Sequence, residues 1–231
     1  MHELCAQEAI SAEVVAAIYH VIGENWHRAR LSGTGSASRE NWRWCEPQIS
    51  LADHNSSREV RLERAIARCV PGWANQVPIC SGVVAPSADR RRAIDLVHAV
   101  GEGHFEFIEL KIASDTPLYA ALEIIGYCCV WLLSRADYTG AASIMLAADQ
   151  VELIVLAPAS YYAPYRLGTL AAALDAQVSA LGRAHSVELS FRYEILPDEL
   201  APDELAPDEL ALVPLPPDSI IPALLDQRRP L

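Results

Sequence analysis

Nowhere does the chain hold the roughly 18 uncharged apolar residues in a row that a membrane-spanning helix needs, and the nearest stretch, Pro117 to Leu133, is interrupted by Glu123. The opening residues, MHELCAQEAISAEVV, lack the basic start and apolar run of a secretory leader. A cytoplasmic protein that does not engage a membrane is expected. The six cysteines (Cys5, Cys45, Cys69, Cys80, Cys128, Cys129) include no CxxC pair and no His/Cys cluster at zinc spacing. Reduced, mostly buried thiols follow. Positive charge is scarce as well: 18 Lys and Arg stand against 30 Asp and Glu, for a formal net charge of −12. That balance argues against a protein that coats nucleic acid non-specifically through clustered cations. Three PDELA copies from Pro197 to Ala211 contribute six of the acids, so part of the excess is separable from the rest of the chain.

What the chain has is apolar surface. Hydrophobic residues make up 52% of 231 positions, enough for one core of ordinary domain size. From about Glu8 to Arg30, Ile10, Val14, Val15, Ile18 and Ile22 recur at helical spacing. Residues 31–55, with Trp42 and Trp44, read as a long connection or a short hairpin. Ser56 to Glu59 match an S-x-x-E capping box before a helix that Pro71-Gly72 stops near Val70. Three extended runs follow, Val77 to Val84, Arg92 to Val100 and His104 to Ile112, and their short separators predict antiparallel neighbours. Thr116-Pro117 opens an apolar helix to about Arg135. Val151 to Pro158 reads as a strand, Leu167 to Arg183 as a helix, and Val187 to Ile195 as an alternating strand.

The order helix, three strands, helix, strand, helix, strand predicts an α/β domain with helices on the faces of a sheet. Residues 1–55 are expected to pack on the core, residues 56–196 to form the domain, and residues 197–231 to be a flexible acidic, Pro-rich tail. Pro in every repeat copy interrupts both a helix and a ladder. A docking arm for a basic partner is the functional alternative to a tandem expansion without a role.

Glu109 and Lys111 share one strand face with Phe105 and Phe107, about 6.6 Å apart at strand rise. Ile108, Leu110 and Ile112 take the other face. A carboxylate and an ammonium on a strand apolar on both sides are costly unless they pair, bind an ion or reach water. Asp95 is a lone carboxylate in the preceding apolar run, and both Asp95 and Glu109 lie seven residues from Glu102. An antiparallel pair about that turn sets them level. Two carboxylates and a backbone carbonyl are the hard oxygen ligands that Mg²⁺ or Mn²⁺ takes. A neighbouring lysine suits orientation of water and stabilisation of developing charge.

The run IDLVHAVGEGHFEFIELKI and this element order resemble the PD-(D/E)xK, or restriction-endonuclease-like, superfamily over roughly residues 56–160. Ile94 stands where the family name has Pro. The resemblance implies a core of helix, three-strand meander, helix and strand, here with an added N-terminal helix and a C-terminal helix and strand. It implies a metal-dependent nuclease acting on DNA or RNA, with Asp95, Glu109 and the Leu110 carbonyl as metal ligands and Lys111 assisting the water. Glu123 and Tyr127, with Tyr119 one turn before, lie on one helix face and resemble the Q-x-x-x-Y element of RecB-like members, with Glu for Gln. A Glu in an apolar helix needs a partner, and Lys111 is the expected one. The helix carboxylate of many members falls to Glu63, since the capping box accounts for Glu59.

Several flanking residues have plainer explanations. His98 and His104 read as hydrogen-bonded structural residues, Arg90, Arg91 and Arg92 equally as a solvated turn or as a phosphate contact, and Trp73 as core, although Trp73 to Gln76 would also suit a site wall. The rival reading is a catalytically inactive interaction protein of the same fold, or a subunit of a larger complex. A homo-oligomer or a basic protein partner would then supply the cationic surface that the charge balance withholds.

Overall fold

Runs rich in Val, Ile, Leu and Phe become the middle of a six-stranded open sheet in the computed structural model, which describes residues 13–31, 42, 57–79, 92–137, 143–201 and 214–231. The strands are β1 (Trp73–Pro78), β2 (Ala93–Gly101), β3 (His104–Leu110), β4 (Gln150–Ala157), β5 (Glu188–Ile195) and β6 (Arg229–Pro230), adjacent in that order. The first three form an antiparallel meander, β3, β4 and β5 run parallel, and β6 returns antiparallel to β5. Parallel neighbours require crossovers. Helix α3 (Pro117–Asp137) carries the chain from β3 to β4, and α5 (Gly168–Ala184) carries it from β4 to β5. With α1 (Val14–Leu31), α2 (Arg58–Cys69), α4 (Ala159–Tyr162) and α6 (Ile221–Leu225), the described residues hold six helices in a mixed α/β fold.

Each face of the sheet has its own core. Helices α1, α3 and α5 cover one face, where Trp26, Phe107, Trp131 and Val178 are buried together. Helix α2 and the C-terminal segment cover the other, around Leu62, Ile66, Leu96, Ile108 and Leu224. By length and composition alone α3 could cross a membrane. Here most of its residues are buried in the first of these cores. Cys128 and Cys129 are buried free thiols and Cys69 is a half-buried one; Cys5, Cys45, Cys80, Trp44, Arg90 and Arg91 lie outside the described residues.

The expected order of elements from α2 to β5 is present, with three local corrections. The first strand begins at Trp73 and ends at Pro78, earlier than the expected Val77 to Val84. Gly72, at φ +80°, turns the chain directly from α2 into the strand, a conformation that glycine adopts without a Cβ clash. Trp73 is core, stacked on His98 at 4.5 Å. The N-cap of α2 is Ser57, whose hydroxyl accepts from the Val60 N–H; Ser56, the expected start of the capping box, lies outside the described residues.

The third correction concerns the tail. Leu200 and Ala201, in the first PDELA copy, are fully buried, and the Arg58 guanidinium donates to the Leu200 carbonyl at 2.8 Å. Residues 202–213 lie outside the described residues. Beyond them Ile221, Leu224 and Leu225 pack into the α2 face, and the Leu231 N–H donates to the Tyr193 carbonyl. Prolines interrupt a helix or a ladder, yet they place no restriction on the apolar IIPALL run that follows the repeats. Arg228 fastens this segment, lying over Trp73 and donating to Glu106 at 3.1 Å and Glu194 at 3.2 Å. The same face carries His98 against Glu106 at 2.8 Å, His104 against Glu152 at 2.6 Å, and Arg192 paired with Glu106, Glu152 and Glu194. Both histidines are thus bonded structural residues.

Candidate active site

Where β2 and β3 part, the site begins. Their register pairs His98 with Glu106, Val97 with Phe107 and Leu96 with Ile108, so Asp95 and Glu109 are the next level. The ladder stops there. Asp95 instead accepts the Leu110 N–H on Oδ2 at 3.0 Å. On the α2 side, Gln76 of β1 donates from Nε2 to Glu63 at 2.7 Å and to Asp95 at 3.4 Å. Gln76 has φ +50°, a left-handed conformation that costs a non-glycine residue about 1–3 kcal/mol and that occurs where its amide bridges two carboxyls.

On the α3 side, the Lys111 ammonium lies 2.6 Å from Glu109 and 3.5 Å from Glu123. The Tyr127 hydroxyl donates to the other Glu123 oxygen at 2.9 Å. The fold therefore brings Asp95, Glu109, Lys111, Glu123 and Glu63 together. Glu63, Glu109 and Lys111 are buried, at 2%, 3% and 8% exposure. The Leu110 residue between them is buried too, pinned through its N–H by Asp95.

Glu59 has a different task from the expected one. Its carboxylate accepts the Ile112 N–H at 2.8 Å and the Ser114 hydroxyl at 3.0 Å, while the Lys111 N–H donates to the Leu156 carbonyl at 3.0 Å. These bonds fix the chain as it leaves β3 and so aim the Lys111 side chain.

Three carboxyls, Glu109, Asp95 and Glu123, act on the Lys111 ammonium, and Glu63 adds a fourth beside Asp95, which leaves this cluster short of positive charge. Burial, then the charge of Asp95, pushes Glu63 up to about 9 and Glu109 up to about 10, although Lys111 opposes the second shift. Burial raises Asp95 to about 6 against the pull of Lys111 and the Leu110 N–H. Burial also works against the Lys111 charge, but Glu109, Asp95 and Glu123 outweigh it and hold the ammonium above its ordinary range. Protons retained on buried carboxyls are what a divalent cation displaces. The oxygens of Asp95, Glu109, Glu63 and the Leu110 carbonyl are of the hard type that suits Mg²⁺ or Mn²⁺. Among the described residues no three Asp, Glu, His or Cys side chains form a ready coordination shell. One oxygen of Glu63 is engaged by Gln76 and one of Glu109 by Lys111.

A linkage experiment follows from these signs. Carboxyls whose pKa is raised by folding bind more protons when folded, so stability is full below their unfolded values near 4 and is lost as pH rises through the folded ones. In chelator, the thermal midpoint is expected to fall from about pH 5 to about pH 9. Mg²⁺ is expected to raise the midpoint, more at the higher pH. A midpoint indifferent to Mg²⁺ at both ends would remove the case for a metal.

One sequence signal for this site lies in the basic residues: Lys111 is the only lysine, and the other 17 are arginine. Gln76 has no such signal, because nothing in WANQVP marks a left-handed residue. Tyr161, just beyond β4, also faces this region, and Lys111 is the charge that acts most strongly on its hydroxyl. Comparison of the chain with protein-family models, with characterised proteins and with solved structures finds no match.

Proposed function

We propose that this chain is a metal-dependent nuclease with a restriction-endonuclease-like core, hydrolysing phosphodiester bonds of DNA or RNA. The observation that carries the reading is the level placement of Asp95 and Glu109 at the parting of two strands, with the single lysine paired beside them. The sequence of elements α2, β1, β2, β3, α3, β4, with β4 parallel to β3, supports the same core. Asp95, Glu109 and the Leu110 carbonyl would hold Mg²⁺ or Mn²⁺, with Glu63 reaching in from α2. When bound, the ion supplies Lewis-acid polarisation and a more acidic water. Lys111 donates to the attacking water or a phosphoryl oxygen and stabilises the developing negative charge. Glu123, held by Tyr127, orients that ammonium.

A second reading has its own support. Lys111 already sits between Glu109 and Glu123, and no coordination shell is preformed among the described residues, which suits an inactive interaction protein or a subunit completed by a basic partner. Cleavage assays on labelled single- and double-stranded DNA and RNA separate the two. The nuclease reading expects cutting with Mg²⁺ or Mn²⁺ that chelator and Asp95→Asn abolish. Cutting that survives both Asp95→Asn and Lys111→Ala, or no cutting of any substrate, would sink it.

A further inference from the structure

The Tyr161 hydroxyl is buried and has no hydrogen-bond partner among the described residues, an arrangement that native folds seldom leave unused. Its position follows from the sheet. Strands β3 and β4 run parallel with Leu110 beside Leu156, so the segments that leave their C-terminal ends, carrying Lys111 and Tyr161, emerge side by side. Ligands of open α/β sheets bind at such strand ends. The groups that act on the Tyr161 hydroxyl are Lys111 first, then Asp115, Tyr165 and Glu59.

Exposed aromatic and acidic residues lie on the segments that carry Lys111, Glu123 and Tyr161. Tyr119, one helical turn before Glu123, is 54% exposed, and Tyr165 and Leu118 are each 40% exposed. Glu59, Asp115 and Glu123 carry the negative charge, and Arg166 is an exposed cation next to Tyr165. A duplex brings two phosphate backbones and hides its base faces, so it meets repulsion here and gains little from tyrosine rings. A single strand brings one backbone and open base faces, and stacking on aromatic rings is its ordinary mode of capture.

Resting on the nuclease reading, we infer that the substrate is single-stranded nucleic acid. Tyr119 and Tyr165 stack the bases flanking the scissile phosphate, and Tyr161 is a positioning residue that donates its hydroxyl to that phosphate beside Lys111.

The test pairs binding with cleavage. Fluorescence anisotropy on full-length Asp95→Asn with Mg²⁺ reads the binding of a labelled oligonucleotide, single-stranded or annealed to its complement, and the parent protein reads cleavage of both. The expected result is at least about tenfold tighter binding and faster cutting of the single strand. Tyr119→Ala or Tyr165→Ala should each weaken it about 5- to 150-fold. Tyr161→Phe should lower kcat about tenfold with binding little changed and with an unchanged or higher thermal midpoint, because it removes an unpaired hydroxyl. A duplex bound and cut as well as the single strand overturns this inference and leaves the nuclease reading standing. Absence of both binding and cutting on either form overturns both. An unaltered kcat in Tyr161→Phe removes that residue from the scheme.

Discussion

Lys111→Ala is expected to reduce cleavage by about 10²- to 10³-fold, the usual loss when one charge-stabilising donor is removed, and to destabilise the fold as well. The two effects have different origins. Lys111 is the cation within reach of both Glu109 and Glu123, and removing one member of a buried ion pair costs roughly 3–5 kcal/mol because the other charge is left uncompensated. The stability loss should be largest at high pH, where Glu109 gives up the proton it holds to about pH 10, and shrink below that. Glu109→Gln should act oppositely on stability, since it removes a carboxyl that burial and Asp95 already disfavour, while still abolishing activity. The double variant should regain most of the parent's denaturation midpoint and none of its cleavage. A pair held only as a structural salt bridge would instead show no change in any cleavage measured, with the same stability cycle.

How far these residues were visible beforehand depends on the range of the interaction. The level placement of Asp95 and Glu109 needs only the count of residues to a hairpin turn, and the observed register keeps it even though a bulge lies between Ala99 and Gly101. Helical spacing puts Tyr119, Glu123 and Tyr127 on one face, and the energetic demand of a Glu in an apolar helix leads to Lys111; the 3.5 Å contact meets that demand. The roles of Glu59 and Glu63 were not legible in this way. An S-x-x-E pattern accounts for Glu59 locally, but the rotation of α2 on the sheet decides that Glu59 meets Ile112 and Ser114 while Glu63 meets Gln76. Gln76 itself depends on a left-handed backbone that no residue type announces. At the C-terminus, the composition of the repeat dominates any reading of the segment, although the Ile and Leu beyond it have the ordinary reason of apolar burial to fold back.

That fold-back underlies the second large effect. Deleting residues 214–231 removes Ile221, Leu224 and Leu225 from the α2 face, and at about 1.5–3 kcal/mol for each buried side chain the loss approaches the whole stability of a typical domain, about 5–15 kcal/mol. The truncated chain is expected to lose its cooperative denaturation transition. Arg228→Ala isolates the ionic part. Burial alone would raise Glu106, but His98 and Arg228 outweigh it and hold the carboxyl down at about 2. A depressed carboxylate contributes stability that is present above its unfolded value and lost as pH falls through the folded one. Without Arg228, acid unfolding should begin at higher pH, and stability near neutrality should fall by about 3 kcal/mol. The consequence reaches the site, because α6 packs on α2, which carries both Glu59 and Glu63. Mg²⁺ should therefore raise the midpoint of Arg228→Ala less than that of the parent; an equal rise would show that α2 keeps its place without the C-terminal clasp.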